Sequence, residues 1–178
     1  GVFPEVVNNY KFYNDGKFKN CTRAIIDNRE KVRDILESVS GRQLSKNWFP
    51  WNFKDNDGKL CEGKLIKYEW PYVYFENSEG KEVVNNLEKG EGKLPWRLDW
   101  PSKWKILGVT FEAFGKDHGA AGGSYSTGRE IVKILGHEPP QPLVYEWISL
   151  KGQGAMSSSA GNTIGPIEAL RLVPPEIL

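Results

Sequence analysis

Val109-Thr-Phe-Glu-Ala-Phe-Gly-Lys-Asp-His-Gly-Ala-Ala-Gly-Gly-Ser-Tyr125 is the stretch whose reading decides the fold of this chain. Its first six residues, Val109 to Phe114, are apolar and β-branched or aromatic enough to pair as a strand. Gly115-Lys-Asp-His118 ends that strand abruptly, and three glycines follow within five residues. From Ser126 to Leu135 the spacing predicts a helix capped by Ser126 or Thr127, with Ile131, Val132 and Leu135 turned inward and Gly136 after its end. The prolines of His137-Glu-Pro-Pro-Gln-Pro142 return the chain to a second apolar run, Leu143-Val-Tyr-Glu-Trp-Ile-Ser-Leu150, expected as one strand. A loop over 151–162 and a helix opened by Gly165-Pro166 complete the alternation. Strand, turn, helix, strand, loop, helix is the pattern of an α/β fold with a parallel sheet and crossover helices. Ligands of such sheets sit beyond the carboxyl ends of the strands, so residues 115–118 and 151–162 are expected to line one crevice.

The loop Lys151-Gly-Gln-Gly-Ala-Met-Ser-Ser-Ser-Ala-Gly-Asn162 holds three glycines and three consecutive serines. With so little side-chain bulk, its backbone N–H groups and hydroxyls are free to face an anion.

Before this half the chain changes character twice. Residues 1–16 are punctuated by Phe3-Pro4, Asn8-Asn9 and Asn14-Asp15-Gly16 and read as irregular. From Lys17 to about Val39, apolar residues at three- and four-residue steps predict one amphipathic helix. Between 46 and 92, short apolar runs alternate with glycine-containing turns, the signature of a small antiparallel meander. Asp55-Asn-Asp57 carries alternating oxygens, but Glu62 lies too near to close a calcium loop, so these acids read as turn residues. In Gly92-Lys-Leu-Pro-Trp-Arg-Leu-Asp-Trp-Pro-Ser-Lys-Trp104 the tryptophans predict a packed aromatic cluster, and Pro95 and Pro101 argue against one continuous helix. The expected organisation is a helical segment over 1–45, an antiparallel insert over 46–92, and an α/β unit over 93–178.

Composition bounds the function. The 178 residues are 39% hydrophobic and 26% charged, an ordinary globular balance. Lys plus Arg number 24 against 23 Asp plus Glu, so any nucleic-acid contact rests on a local patch rather than bulk charge. No apolar run nears the ~20 residues of a membrane span, and no membrane partner is expected. Two isolated cysteines, Cys21 and Cys61, point to a reducing, cytoplasmic setting and supply no metal cluster.

Five stretches in order carry a more specific likeness: residues 93–104, Glu112-Ala-Phe-Gly-Lys-Asp-His118, Gly122-Gly-Ser-Tyr125, Tyr145-Glu-Trp-Ile148 and Met156-Ser-Ser-Ser159. Each resembles a segment of class I, archaeal-type lysyl-tRNA synthetases, strongly over 93–178 and weakly over 1–92. The resemblance implies the second half of a Rossmann-type catalytic domain, with 46–92 as its insert. It implies a ligase that joins lysine to ATP as lysyl-adenylate and passes the lysyl group to tRNA(Lys), with Mg2+ accompanying ATP. Met156, Ser157, Ser158 and Ser159 would form the catalytic loop over the triphosphate. Gly115 and Asp117 would meet ATP at the strand end, and Trp96, His118 and Tyr145 would line the lysine pocket, where aromatic faces flank an aliphatic stem and its ammonium.

The chain departs from the family in two places. Lysines usual before the methionine and after the serines are Ala155 and Ala160 here, removing cations from the leaving pyrophosphate, with Lys151 and Arg171 the candidates to replace them. The insert has Cys61 alone where relatives often hold zinc, so no zinc is expected. No His-x-Gly-His signature of a first Rossmann half is present, so the chain is expected to be an internal fragment, inactive alone. A catalytically inactive synthetase-like paralogue and a non-enzymatic interaction module built on the insert tryptophans stay open as alternatives.

Overall fold

The computed structural model describes residues 3–61, 63–147, 149, 150, 152 and 154–177. Helix α1 (Asn9–Asn14) lies inside the stretch expected to be irregular, because Asn8 Oδ1 accepts from Lys11 N (3.0 Å) and caps it. The single helix expected over 17–39 is two, α2 (Lys19–Asp27) and α3 (Arg29–Ser40). Asn28 breaks it: its Nδ2 donates to the Ala24 carbonyl (2.8 Å), and its backbone (φ −107°, ψ 24°) leaves the helical region.

The insert is antiparallel, as its turns required. Strands β1 (Asn52–Lys54), β2 (Leu60–Cys61), β3 (Gly63–Glu69), β4 (Tyr72–Asn77), β5 (Glu82–Asn86) and β6 (Gly92–Lys93) form two three-stranded sheets, in the orders β2-β1-β6 and β3-β4-β5. Asp55 Oδ1 accepts from the Asp57 and Lys59 amides (3.0 and 2.8 Å), so this acid closes its own turn. Phe53 stacks on Phe75 at 4.1 Å and joins the two sheets.

Helix α4 (Trp96–Leu107) continues through Pro101, contrary to expectation. Pro101 lacks the N–H that would bond the turn before it, a loss of about 3 kcal/mol. Burial of Trp100, Pro101 and Trp104 on one side of the helix offsets that loss. Then come β7 (Phe111–Gly115), the single turn α5 (Lys116–Gly119), α6 (Ser124–Ile134) and β8 (Gln141–Tyr145). Strands β7 and β8 pair in parallel, Phe111 with Gln141 and Gly115 with Tyr145, across the crossover helix. Helix α6 begins two residues before the expected cap. Gly123 occupies the cap position, and Thr127 instead donates from Oγ1 to the Ser124 carbonyl (3.0 Å).

The strand expected over 143–150 is divided. Strand β8 stops at Tyr145, where its partner β7 stops at Gly115. Ser149–Leu150, β9, pairs antiparallel with β10 (Gly154–Ala155). Helix α7 (Pro166–Leu172) opens at its proline as expected, with the Gly165 amide donating to Glu168 Oε2 (2.9 Å).

Two cores hold these elements. The larger takes Phe18, Ile25 and Val32 from the helices, Phe53 and Phe75 from the insert, and Leu98 and Ile131 from α4 and α6. The smaller is Trp100, Trp104, Phe114, Tyr125 and Val132, directly beneath β7.

Candidate active site

Trp96, Trp100 and Trp104 recur every four residues, so they stand in one row along α4. Trp96 and Trp100 stack with ring centroids 5.2 Å apart, and Trp100 and Trp104 follow at 4.9 Å. Burial grades along the row. Trp104 is fully buried and donates from Nε1 to Glu112 Oε2 (2.7 Å), whereas Trp96 is 46% exposed at the N-terminal end.

The first turn of α4 is pinned as well. Asp99, 5% exposed, accepts from the Tyr13 hydroxyl (2.7 Å) and pairs with the Lys103 ammonium (2.6 Å). The same hydroxyl accepts from the Leu94 amide (3.1 Å). Burial and the Asp99 carboxylate push the Tyr13 hydroxyl well above the usual tyrosine range.

Strand β7 delivers the rest of the site. At its last residue, Gly115, a Cβ would lie 2.8 Å from Asp117 Oδ1, the movable end of a side chain, and in ordinary contact, 3.8 Å, with both Tyr145 Cε2 and Trp147 Nε1. Gly115, Asp117, Tyr145 and Trp147 therefore meet at the carboxyl ends of the parallel pair. One turn on, the His118 ring lies 5.9 Å from Trp96 and 5.5 Å from Trp100, with its Nε2 3.6 Å from Asp117 Oδ2. The expected Trp96–His118 pair is thus together, and Asp117 connects it to the Gly115–Tyr145 strand ends.

Arg97 holds the turn that follows. Its Nη1 donates to the carbonyls of Gly122 (3.1 Å) and Gly123 (3.0 Å) and to Thr127 Oγ1 (3.1 Å). Gly123 is required here, because a Cβ would strike the His118 carbonyl at 2.4 Å. Trp96 Nε1 donates to Ser124 Oγ (3.2 Å), a second tie from α4 to α6. The geometry also adds Trp100, Lys116 and Trp147 to the residues read from the sequence. Lys116 pairs with Glu146 (2.5 Å) and lies 5.3 Å over the Trp147 ring. The four-residue tryptophan spacing was the signal for Trp100; Arg97 had none.

The serine loop forms its own small structure. Ser157 N donates to Asn162 Oδ1 (2.8 Å), the Ser157 and Ser159 hydroxyls are 3.0 Å apart, and Ser158–Ala160 is one 3-10 turn ended by Gly161 at φ 68°. Met156 and Ser157 are half-buried, and Ser158 and Ser159 are exposed. Among the described residues, no hydrogen bond or ring contact joins 156–159 to the Trp96–His118 cluster. Lys151 lies outside the described residues, and Arg171 is exposed on α7. His137 sits apart, its Nε2 3.3 Å from the Val109 carbonyl, as a tie between the end of α6 and the start of β7.

The family model for tRNA synthetases class I (K) matches residues 1–178, so the likeness extends through the first 92 residues as well. The chain is 43% identical to a lysine–tRNA ligase of Thermoplasma acidophilum, over 97% of this chain and 34% of that protein. It is 42% identical to one of Methanosarcina barkeri (100% and 34%) and 41% identical to one of Methanocaldococcus jannaschii (93% and 33%). It spans about a third of the length of these curated relatives.

Proposed function

The chain belongs to the class I (K) tRNA synthetases, and from that premise we propose that the protein carrying it is a lysine–tRNA ligase. One observation carries the site-level reading: an exposed tryptophan and a histidine close together at the carboxyl end of a parallel strand pair, beside a carboxylate. Trp96 and His118 offer faces to an aliphatic stem, and the Trp96 face attracts an ammonium. Tyr145 closes the pocket from β8. Asp117, at the turn after Gly115, accepts from a ribose hydroxyl or an amino group.

In the first step a lysine carboxylate oxygen bonds to the α-phosphorus of ATP, and the bond from that phosphorus to the bridging oxygen breaks, releasing pyrophosphate. In the second, a ribose hydroxyl of the terminal tRNA adenosine attacks the carbonyl carbon, its proton passes to the departing phosphate, and AMP leaves with the bonding electrons. Both steps depend on positioning and on neutralising developing negative charge. Ser157, Ser158 and Ser159 donate to phosphate oxygens from hydroxyls and amides, and Met156 packs beneath the adenine. Mg2+ arrives with ATP. Among the described residues no group of three or more His, Cys, Asp or Glu side chains is placed to hold a metal.

We assign 1–45 and 46–92 as the helical segment and insert that brace the catalytic unit of 93–178, in a cytoplasmic protein. No helix among the described residues is long and apolar enough to cross a membrane. The insert tryptophans favour this reading over an interaction module. Trp51 is 3% exposed, and Trp48 and Trp70 are half-buried with the Arg33 and Arg23 guanidinium groups over their rings.

Lysine-dependent ATP–pyrophosphate exchange by the full-length protein, with and without tRNA, tests the proposal. Lysine-specific exchange, with the Trp96→Leu variant raising the lysine KM about tenfold, is the expected result. A folded protein that binds lysine yet gives no exchange is the inactive paralogue.

A further inference from the structure

The sheet β2-β1-β6 gathers two cations on one face. Asn52 lies opposite Lys93 and Lys54 opposite Leu60, and side chains two apart on a strand share a face. Leu60, Lys54 and Lys93 therefore project from one side, away from the buried Phe53. Lys54 and Lys93 are diagonal neighbours across β1 and β6, about 7–8 Å apart. Helix α1 lies over this side, with Lys54 Nζ 5.7 Å from the Tyr10 ring. Between helix and sheet is a cavity of about 440 Å3, lined by these residues, by Asn9, and by the buried Tyr13, Gly90 and Gly92. Its floor is fixed. Gly90 passes so close to α1 that a Cβ would lie 2.7 Å from the Tyr13 carbonyl carbon, and the Tyr13 hydroxyl is committed to Asp99 and Leu94. None of the residues assigned above to lysine or ATP lines this cavity.

Neither ammonium forms an ion pair with a described residue, and among the described residues no carboxylate lines the cavity. The acids next along the two strands are committed: Asp55 Oδ1 accepts from the Asp57 and Lys59 amides, and Glu91 Oε2 accepts from the Asn86 amide (2.7 Å). Like charges side by side on a sheet repel, and an anion between them removes the repulsion. An arginine fork matches a planar carboxylate, whereas ammonium groups meet a phosphate as point charges, each on a different oxygen. Tyr10 and Leu60, 68% and 49% exposed, add apolar surface beside the charges. The ligand they ask for carries a phosphate and a flat, partly apolar body. The volume is that of a site for one small molecule, and the buried floor closes it, unlike the open track along which a nucleic-acid strand is held.

We propose that this cavity binds a free nucleotide, its phosphate between Lys54 and Lys93 and its sugar and base against Tyr10 and Leu60. Asn9 is the one amide side chain in the lining, too little to select among bases, so the phosphate carries the binding. The inference does not depend on the ligase reading above.

The test uses the full-length protein and GMP, because an adenine nucleotide would also enter the proposed ATP site. GMP and guanosine are titrated by calorimetry into wild type, Lys54→Gln and Lys93→Gln, with thermal melting to check folding. Lys93 is exposed, so its variant keeps the test available if Lys54→Gln disturbs β1. Wild type is expected to bind GMP at least about tenfold more tightly than guanosine, and each variant to lose about tenfold for GMP with no change for guanosine. Equal GMP affinity in wild type and both variants overturns the proposal, and so does a wild type that binds GMP no better than guanosine. A loss of tRNA affinity in the variants, with no GMP binding by wild type, would assign the two lysines to an RNA backbone and overturns it as well.

Discussion

Tyr13→Phe removes a single oxygen from the centre of the chain and tests how α4 is anchored. That oxygen donates to Asp99 Oδ1 at 2.7 Å and accepts from the Leu94 amide at 3.1 Å, with Leu94 fully buried and Asp99 5% exposed. A hydrogen bond to an ionised carboxylate contributes about 1.5–3 kcal/mol, and leaving a buried amide unpaired costs about 1–3 kcal/mol. The two effects share an atom and are not additive, so the expected loss is about 3 kcal/mol. With a urea dependence of about 2 kcal/mol per molar, the unfolding midpoint should fall by about 1.5 M. Urea titration followed by tryptophan fluorescence reads the loss, and hydrogen exchange locates it, because the Leu94 amide should lose protection selectively. Asp99→Asn, alone and combined with Tyr13→Phe, gives the coupling, expected at about 1–2 kcal/mol. A loss under 0.5 kcal/mol with Leu94 still protected would refute the reasoning, since the hydroxyl would then hold neither partner.

The site and the core make further predictions. Arg97→Gln removes Nη1, the one nitrogen that serves all three acceptors, so the glycine turn should loosen; the lysine KM should rise more than tenfold while kcat falls less, and equal effects on both constants would argue against a positioning role. Gly115→Ala places a Cβ 2.8 Å from Asp117 Oδ1, which can swing aside; stability should fall by under about 1 kcal/mol while ATP or lysine KM rises, as steady-state kinetics beside thermal melting would show. Burial pushes the Cys21 thiol from 9.0 up to about 11 and raises the Tyr13 hydroxyl too, so both keep their protons in the folded chain after the unfolded chain has lost them. Stability is therefore full below about pH 9 and falls as pH rises above it, by up to about 3 kcal/mol for Cys21, and Cys21→Ala should flatten the curve between pH 9 and 11 in denaturant titrations.

Local chemistry was legible wherever one residue decides it. Gly165-Pro166 started a helix, the glycine-containing turns of 46–92 made antiparallel strands, and the alternation after 105 made a parallel pair, because backbone angles and side-chain periodicity act over a few residues. The sequence misled where distant packing opposed a local rule. Pro101 sits within a helix because a tryptophan row is buried against β7 and α6, and β8 ends early because its partner strand ends. Trp96, His118, Gly115, Asp117 and Tyr145 were each readable as motif residues, but their mutual distances were not. Arg97 was invisible as well, since its three acceptors lie 25 to 30 residues away.

The sequence by itself determined the element types, the family and the residue kinds of the site. Only the tertiary structure decided that Trp96 stacks on Trp100 beside His118, that Asp99 is a buried anchor for Tyr13 and Lys103, and that Arg97 holds the turn at Gly122 and Gly123. Periodicity and turn chemistry are properties of neighbouring residues. Charge compensation and burial are properties of whatever the folded chain brings alongside, and no local pattern encodes them.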